Sequence, residues 1–176
     1  MIQHLDESAL LFIQEHARND FLTPLFKFFT YMGNAGILWI LLGTALLLFA
    51  HTRKRGAIVL CALGISAVLN NLILKNIVAR PRPYTVLPEL EVLVAKLSSY
   101  SFPSGHACSS FAAATALTLL FGKRGAWSFA PAALIALSRV YLGVHYPTDV
   151  LSGAVLGAVC AWATVMVFLQ KTNWLK

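Results

Sequence analysis

Five runs of apolar residues, each free or nearly free of charge, dominate this chain. They are Gly33 to Ala50, Gly56 to Leu74, Gly105 to Phe121, Ala126 to Gly143 and Val150 to Gln170. A helix needs about 20 apolar residues to cross a bilayer, where no water can satisfy an open backbone. Each run is near that length, and only the fourth carries a charge, Arg139 near its end. Charged residues make up 12% of the chain and mean hydropathy is +0.70, whereas soluble domains carry about 25% charged residues. So few charges cannot cover a water-facing globule. A soluble domain, a disordered tail and a disulfide-stapled secreted module are excluded. The expected fold is all-α, an integral membrane bundle of five transmembrane helices. Small residues in the third and fifth runs (Ala112, Ala113, Ala114; Gly153, Gly157, Ala158) suit close helix packing in lipid.

The N-terminal segment, residues 1–32, has a different character. Leu10, Leu11 and Ile13 alternate with Glu7, Glu15 and Arg18, and Phe21 to Met32 is rich in aromatic residues around Lys27 and Pro24. It reads as one or two amphipathic interfacial helices. The competing reading is a sixth span from about Ala9 to Met32. Glu15, Arg18 and Asp20 argue against it, since each is costly in hydrocarbon. The order of basic, apolar and small residues is wrong for a signal peptide. Residues 33–176 are expected to form the membrane-embedded domain. Cys61, Cys108 and Cys160 all fall inside expected spans, where they pack as small hydrophobes rather than forming a disulfide framework or zinc site.

The chain carries 14 Lys and Arg against 7 Asp and Glu, a net charge of +7. In a soluble protein that excess suggests nucleic acid; here no nucleic-acid partner is expected. Membrane orientation accounts for much of it. Arg53, Lys54 and Arg55 follow run one, Lys123 and Arg124 follow run three, and Lys171 and Lys176 follow run five. With five spans these all fall on one side, which the positive-inside rule makes cytoplasmic. The N-terminus is then outside and the C-terminus inside. Short loops and small size suggest the cytoplasmic membrane of a bacterium.

Against that rule, Lys75, Arg80, Arg82, Lys96 and Arg139 fall on or near the outer side. Snorkelling to headgroups accounts for many such residues. Arg80-Pro81-Arg82-Pro83 is harder to dismiss, because proline restricts its own backbone and that of the residue before it. Guanidinium forks match phosphate oxygens bidentately. Next, Ser101-Phe102-Pro103-Ser104-Gly105-His106 precedes run three. A helix starting there offers free N–H groups to an anion, with Ser104 either capping the helix or binding the anion. His106 lies in its first turn. Finally, His145 follows Ser138-Arg139, and Asp149 lies four residues beyond it. A carboxylate on one ring nitrogen fixes the tautomer and frees the other as nucleophile or base; alternatively Asp149 caps run five. Together these residues suit phosphoryl transfer by positioning and charge stabilisation. No Asp/Glu/His cluster has metal-ligand spacing, and no cofactor is expected.

At these positions the chain strongly resembles the type 2 phosphatidic acid phosphatase family of membrane lipid phosphatases. That family carries Lys, six residues, Arg-Pro; then Pro-Ser-Gly-His; then Ser-Arg, five residues, His, three residues, Asp. Lys75 to Arg82-Pro83 matches the first, Pro103-Ser104-Gly105-His106 the second, and Ser138-Arg139, His145 and Asp149 the third. The resemblance covers roughly residues 20–170 and implies the family's core fold. It implies that His145 is the nucleophile of a phosphohistidine intermediate, oriented by Asp149. It implies that His106 protonates the leaving group and that Lys75, Arg82, Ser104, Gly105 and Arg139 bind phosphate, without metal. Arg80 lies in the variable part of the first motif, so no role carries over to it. Many bacterial members have six spans, whereas this chain reads as five. The substrate is then a lipid phosphate of the outer leaflet. Undecaprenyl pyrophosphate leads, with phosphatidylglycerophosphate and phosphatidic acid as rivals. A lipid-phosphate transporter is a remote alternative that leaves His145 and Asp149 without a task. Between these motifs, Leu87, Leu90, Leu93, Val94 and Leu97 recur at near-helical spacing, which predicts a short amphipathic helix within residues 84–100.

Overall fold

The computed structural model describes residues 1–171, and every regular element among them is helical. Lys176, expected among the orientation-setting charges, lies outside the described residues. The elements are α1 (Ile2–His16), α2 (Leu22–Met32), α3 (Ile37–Leu48), α4 (Arg53–Ala67), α5 (Lys75–Val78), α6 (Pro83–Val86), α7 (Gly105–Phe121), α8 (Lys123–Ala126), α9 (Phe129–Tyr141) and α10 (Pro147–Lys171).

All five apolar runs become helical, but not all become long helices. Among the described residues two helices are long and apolar enough to cross a membrane alone, Arg53–Val86 and Pro147–Gln170. At 25 residues, α10 is about 37 Å long. A third candidate is α2 with α3, bent by 47° at their junction. The bend has a local cause: Ala35 and Gly36 both take positive φ, 50° and 70°. The segment expected to lie wholly outside the bundle therefore divides. α1 is a separate helix packed on the loop after α6 and on the facing ends of α9 and α10, whereas α2 runs into α3 as one bent pair. The fourth run forms one helix, α9; its first residue, Ala126, closes the short α8, and a turn at Trp127 and Ser128 separates the two.

The core lies where α3, α4, α7, α9 and α10 meet. Trp39, Ile58, Val59, Ile135 and Val165 are fully buried around Ala112, Ala113 and Ala114 of α7. Trp39 keeps its indole N–H satisfied by donating to Ser110 Oγ at 2.9 Å. Small residues set the α7–α10 spacing. A Cβ on Gly153 would lie 2.5 Å from the Ser104 carbonyl oxygen, and one on Gly157 would lie 2.1 Å from that of Cys108. The outer stripe of α10, Leu151, Val155, Val159 and Trp162, stays exposed. That is the apolar face a lipid-facing helix presents. Cys108 and Cys160 are buried and Cys61 partly so, all as free thiols.

α4 continues into α5 through a π-helical segment, Val68–Leu74. There the Lys75 N–H reaches back five residues to the Asn70 carbonyl. The wider turn changes the register of everything after it, Lys75 included. Such bulges recur at functional positions.

The expected helix within residues 84–100 does not form beyond the four-residue α6. Pro88 interrupts the pattern, and its leucines serve tertiary packing instead. Leu90 is buried with Leu10, Val140 and Tyr146, with Leu87 packed alongside. α1 clasps the loop: Gln14 Nε2 donates to the Glu89 carbonyl, Gln14 Oε1 accepts the Glu91 N–H, and Arg18 Nη1 donates to the Glu91 carbonyl.

The α7–α10 contact yields a test. Gly157→Val forces a side chain into the Cys108 carbonyl and destabilises the protein by about 1–3 kcal/mol. Gly64→Ala, where an added Cβ meets nothing within 4 Å, is neutral or stabilising by up to about 1 kcal/mol. Thermal unfolding of both variants in detergent checks the contrast.

Candidate active site

One end of the bundle holds a cavity of about 400 Å³. Six of the eight expected site residues line it: Lys75, Arg82, Gly105, His106, Arg139 and His145. The other two, Ser104 and Asp149, are fully buried. The basic stretches Arg53–Arg55 and Lys123–Arg124 lie at the opposite end, where the Arg55 guanidinium sits 4.9 Å above the Phe121 ring.

The cavity is built for an anion. Three cations converge on it, and none of its lining residues is a carboxylate. Among the described residues, three buried polar atoms have no protein partner: Arg139 Nε, Ser104 Oγ and Asn70 Oδ1. Unpaired polar atoms in a low-dielectric interior are costly, so each calls for a ligand or water. Arg139 is held in place by donating from Nη1 to Thr30 Oγ1. The N-terminus of α7 faces the cavity through Gly105. A Cβ there would meet Asn71 Oδ1 at 3.3 Å, so glycine keeps that approach open. Ser104 does not cap α7 with its side chain, which removes the capping alternative. Its N–H donates to the Asp149 carbonyl at 3.0 Å, tying the start of α7 to α10.

Arg82 divides its fork. Nε and Nη2 donate to Ser99 and Tyr100, while Nη1 donates to the Val144 carbonyl at 2.8 Å and approaches His145 Nε2 at 3.3 Å. An arginine can only donate. Nε2 therefore carries a lone pair, and the proton sits on Nδ1. On that side Asp149 Oδ2 lies 3.5 Å away. This exceeds a formed hydrogen bond, but catalytic contacts in unliganded sites are commonly long and tighten on substrate binding. Ser101 Oγ donates to the same Oδ2 at 2.5 Å and lies 3.4 Å from Nδ1. The Tyr146 N–H donates to it at 3.0 Å. His145 lies in the turn between α9 and α10, and burial pushes its imidazole down to about 3 from an ordinary 6.5. It is neutral at neutral pH, as a nucleophile must be.

His106 occupies the other side of the cavity. Its Nε2 lies 3.2 Å from the Thr30 carbonyl and 3.1 Å from Asn34 Oδ1. A Cβ on Gly33 would stand 2.7 Å from the same ring, so the α2–α3 bend fits closely against it. Ser138, inside the third motif, takes no part; its hydroxyl donates to the Ile135 carbonyl. Thr30, Asn34, Asn70 and Asn71 carry no motif signal, and only the folded chain reveals them. Arg80, without an assigned role, donates to Asp149 Oδ1 at 2.7 Å.

The family model described as PAP2 superfamily matches residues 55–173. An undecaprenyl-diphosphatase of Sulfolobus acidocaldarius is 35% identical over 131 residues, which are 73% of this chain and 63% of that protein. A lipid A 4'-phosphatase of Porphyromonas gingivalis is 30% identical over 186 residues, 93% of this chain and 78% of that protein. Among solved structures, the PAP2 type phosphatidylglycerolphosphate phosphatase of Bacillus subtilis superposes with a TM-score of 0.80 at 26% identity, covering 97% of this chain and 88% of that one. The matched family region takes in Lys75, Arg82, His106, Arg139, His145 and Asp149, and on that ground this chain belongs to the PAP2 superfamily.

Proposed function

We propose that this protein is a membrane lipid phosphatase that removes a terminal phosphate through a phosphohistidine intermediate. The observation that carries the reading is the position of His145. Its Nε2 lone pair faces a cavity bearing three cations, and its Nδ1 side faces Asp149. Nε2 attacks phosphorus in line with the ester or anhydride oxygen. The new P–N bond forms as the P–O bond to the lipid breaks. Asp149 orients the ring and stabilises its growing positive charge. His106, across the cavity, gives a proton to the departing oxygen. Lys75, Arg82, Arg139, Ser104 and the Gly105 N–H hold the phosphoryl oxygens. Water then attacks phosphorus and gives its proton back to His106, the P–N bond breaks with its electrons returning to His145 Nε2, and inorganic phosphate leaves. The charge on the transferred group is carried by side chains, so no metal is assigned a step.

We read the bundle as five spans: the bent α2–α3 pair, α4 with its continuation to α5, α7, α9 with α8, and α10. The basic loops mark the cytoplasmic side, and the cavity opens on the outer face of a bacterial cytoplasmic membrane. The substrate is then an outer-leaflet lipid whose tail stays in the bilayer. The identity to the Sulfolobus protein favours undecaprenyl pyrophosphate. Near-complete superposition on the Bacillus enzyme favours a second reading, phosphatidylglycerophosphate.

Phosphate release by the purified protein in detergent, from a panel of polyprenyl diphosphate, phosphatidylglycerophosphate, phosphatidic acid and lipid A, tests both. The polyprenyl diphosphate is expected to turn over fastest. His145→Ala lowers kcat by about 10^4-fold or more, and EDTA leaves the rate unchanged; turnover surviving in His145→Ala would sink the mechanism. Because burial lowers the His145 pKa, the ring keeps its lone pair as the pH falls through 6.5. kcat/KM, which reports the unliganded enzyme, is therefore expected to show no inflection near pH 6.5 from His145, whereas an ordinary imidazole would be about nine-tenths protonated at about pH 5.5.

A further inference from the structure

Arg80 joins two carboxylates from opposite ends of the sequence. Its Nη1 donates to Asp149 Oδ1 at 2.7 Å and to Thr148 Oγ1 at 2.8 Å. Its Nη2 donates to Asp6 Oδ2 at 2.8 Å and to Gln3 Oε1 at 2.6 Å. The guanidinium carbon stacks 3.9 Å above the Tyr146 ring. Asp6, on α1, is almost wholly buried. It also accepts the Thr148 N–H at 3.0 Å and the Thr148 hydroxyl. The first turn of α10 is thus pinned to α1 through Asp6, and Arg80 bridges that pin to the carboxylate behind His145.

We infer that Arg80 and Asp6 are positioning residues, which hold the Asp149 carboxylate in the plane that presents Oδ2 to His145 Nδ1. This rests on the reading of His145 as the nucleophile. A carboxylate turns about a broad terminal torsion, so contacts at one oxygen leave the other free to swing. Ser101 and the Tyr146 N–H hold Oδ2 alone. Arg80 is the side chain that holds Oδ1. Its own position is not left to chance: Asp6 and Gln3 take the second nitrogen, and Tyr146 covers the face. Only a planar fork spans both carboxylates at once. An ammonium is a point charge on a flexible stem, so lysine keeps the charge and loses the bridge. The Ala79 backbone, at φ 48°, turns the chain out of α5 so that Arg80 reaches inward.

The test compares Arg80→Lys and Asp6→Asn with the intact protein in the phosphate-release assay. Both are expected to lower kcat by about 30-fold, within the range that outer partners of an oriented histidine carry. KM and the inhibition constant for inorganic phosphate stay within about 2-fold, since neither residue touches the anion cavity. In an Asp149→Asn background the same changes cost less than about 2-fold more, because they act through a carboxylate already lost. Wild-type kcat in both variants overturns the inference. So does a loss that multiplies fully with Asp149→Asn, or phosphate binding that falls together with kcat, since either marks a merely structural role. His145→Ala in the same assay separates the two levels. If it retains turnover, the nucleophile assignment itself has failed.

Discussion

The buried carboxylate of Asp149 is the constraint around which the site is assembled. A charge removed from water must be surrounded by donors or it destabilises the fold. Asp149 meets this with Ser101 and the Tyr146 N–H on one oxygen and Arg80 on the other. Those partners come from three separate stretches of chain. Satisfying one group therefore brings together the turn after α5, the irregular stretch before α7 and the start of α10. The Asp149 carbonyl adds a fourth tie by accepting the Ser104 N–H. His145 is then carried into place four residues away, on a turn that has little remaining freedom. The geometry proposed for catalysis is the same geometry that neutralises a buried charge.

The cations opposite pose the reverse problem. Lys75, Arg82 and Arg139 repel one another across a cavity with no lining carboxylate. Helix and loop scaffolding holds them together: Thr30 grips Arg139, and the Ser99–Tyr100 stretch grips Arg82. A bound anion would offset that repulsion and give Arg139 Nε the partner it lacks. The cost of holding the cations together is met by the fold rather than by the ligand. This is preorganisation in the sense that matters for charge stabilisation.

Much of the site was legible in the sequence, for a physical reason. Charged residues in apolar surroundings are conspicuous, and three motifs fix the spacing of Lys75, Arg82, His106, Arg139, His145 and Asp149. The residues that escaped notice are neutral or were explained too easily. Thr30 and Asn34 are single polar groups and Asn70 pairs with Asn71, all in apolar or aromatic stretches, and nothing in their spacing separates them from solvent-facing residues. Asp6 is one of four acids in residues 1–32, and nothing in the sequence distinguishes it from the others, yet it is buried against Arg80. Arg80 falls in the variable part of the first motif, and its carboxylate partners, Asp6 and Asp149, are too distant in sequence to suggest a role for it. The fold was legible to the same degree. Apolar runs mark helices, but their lengths were less secure. The break at Ala35 and Gly36 depends on two positive-φ residues, and the missing helix after α6 depends on leucines having α1 to pack against.

That last point changes what the N-terminal helix is for. An interfacial segment needs only an apolar face for lipid and a polar face for water. α1 has the first: Ile2, Leu5 and Phe12 are exposed along one side. Its other side is not simply wet. Leu10 is buried against Leu90 and Val140, Asp6 meets Arg80 and Thr148, and Gln14 with Arg18 holds the loop whose later residues, Leu97 and Ser99, line the cavity. A helix with one apolar face open and the other bonded to catalytic supports has its position fixed from both directions. Moving it costs the buried ion pair on one side and lipid contact on the other. The site is therefore supported from outside the family core, by a segment that the matched family region, residues 55–173, does not contain.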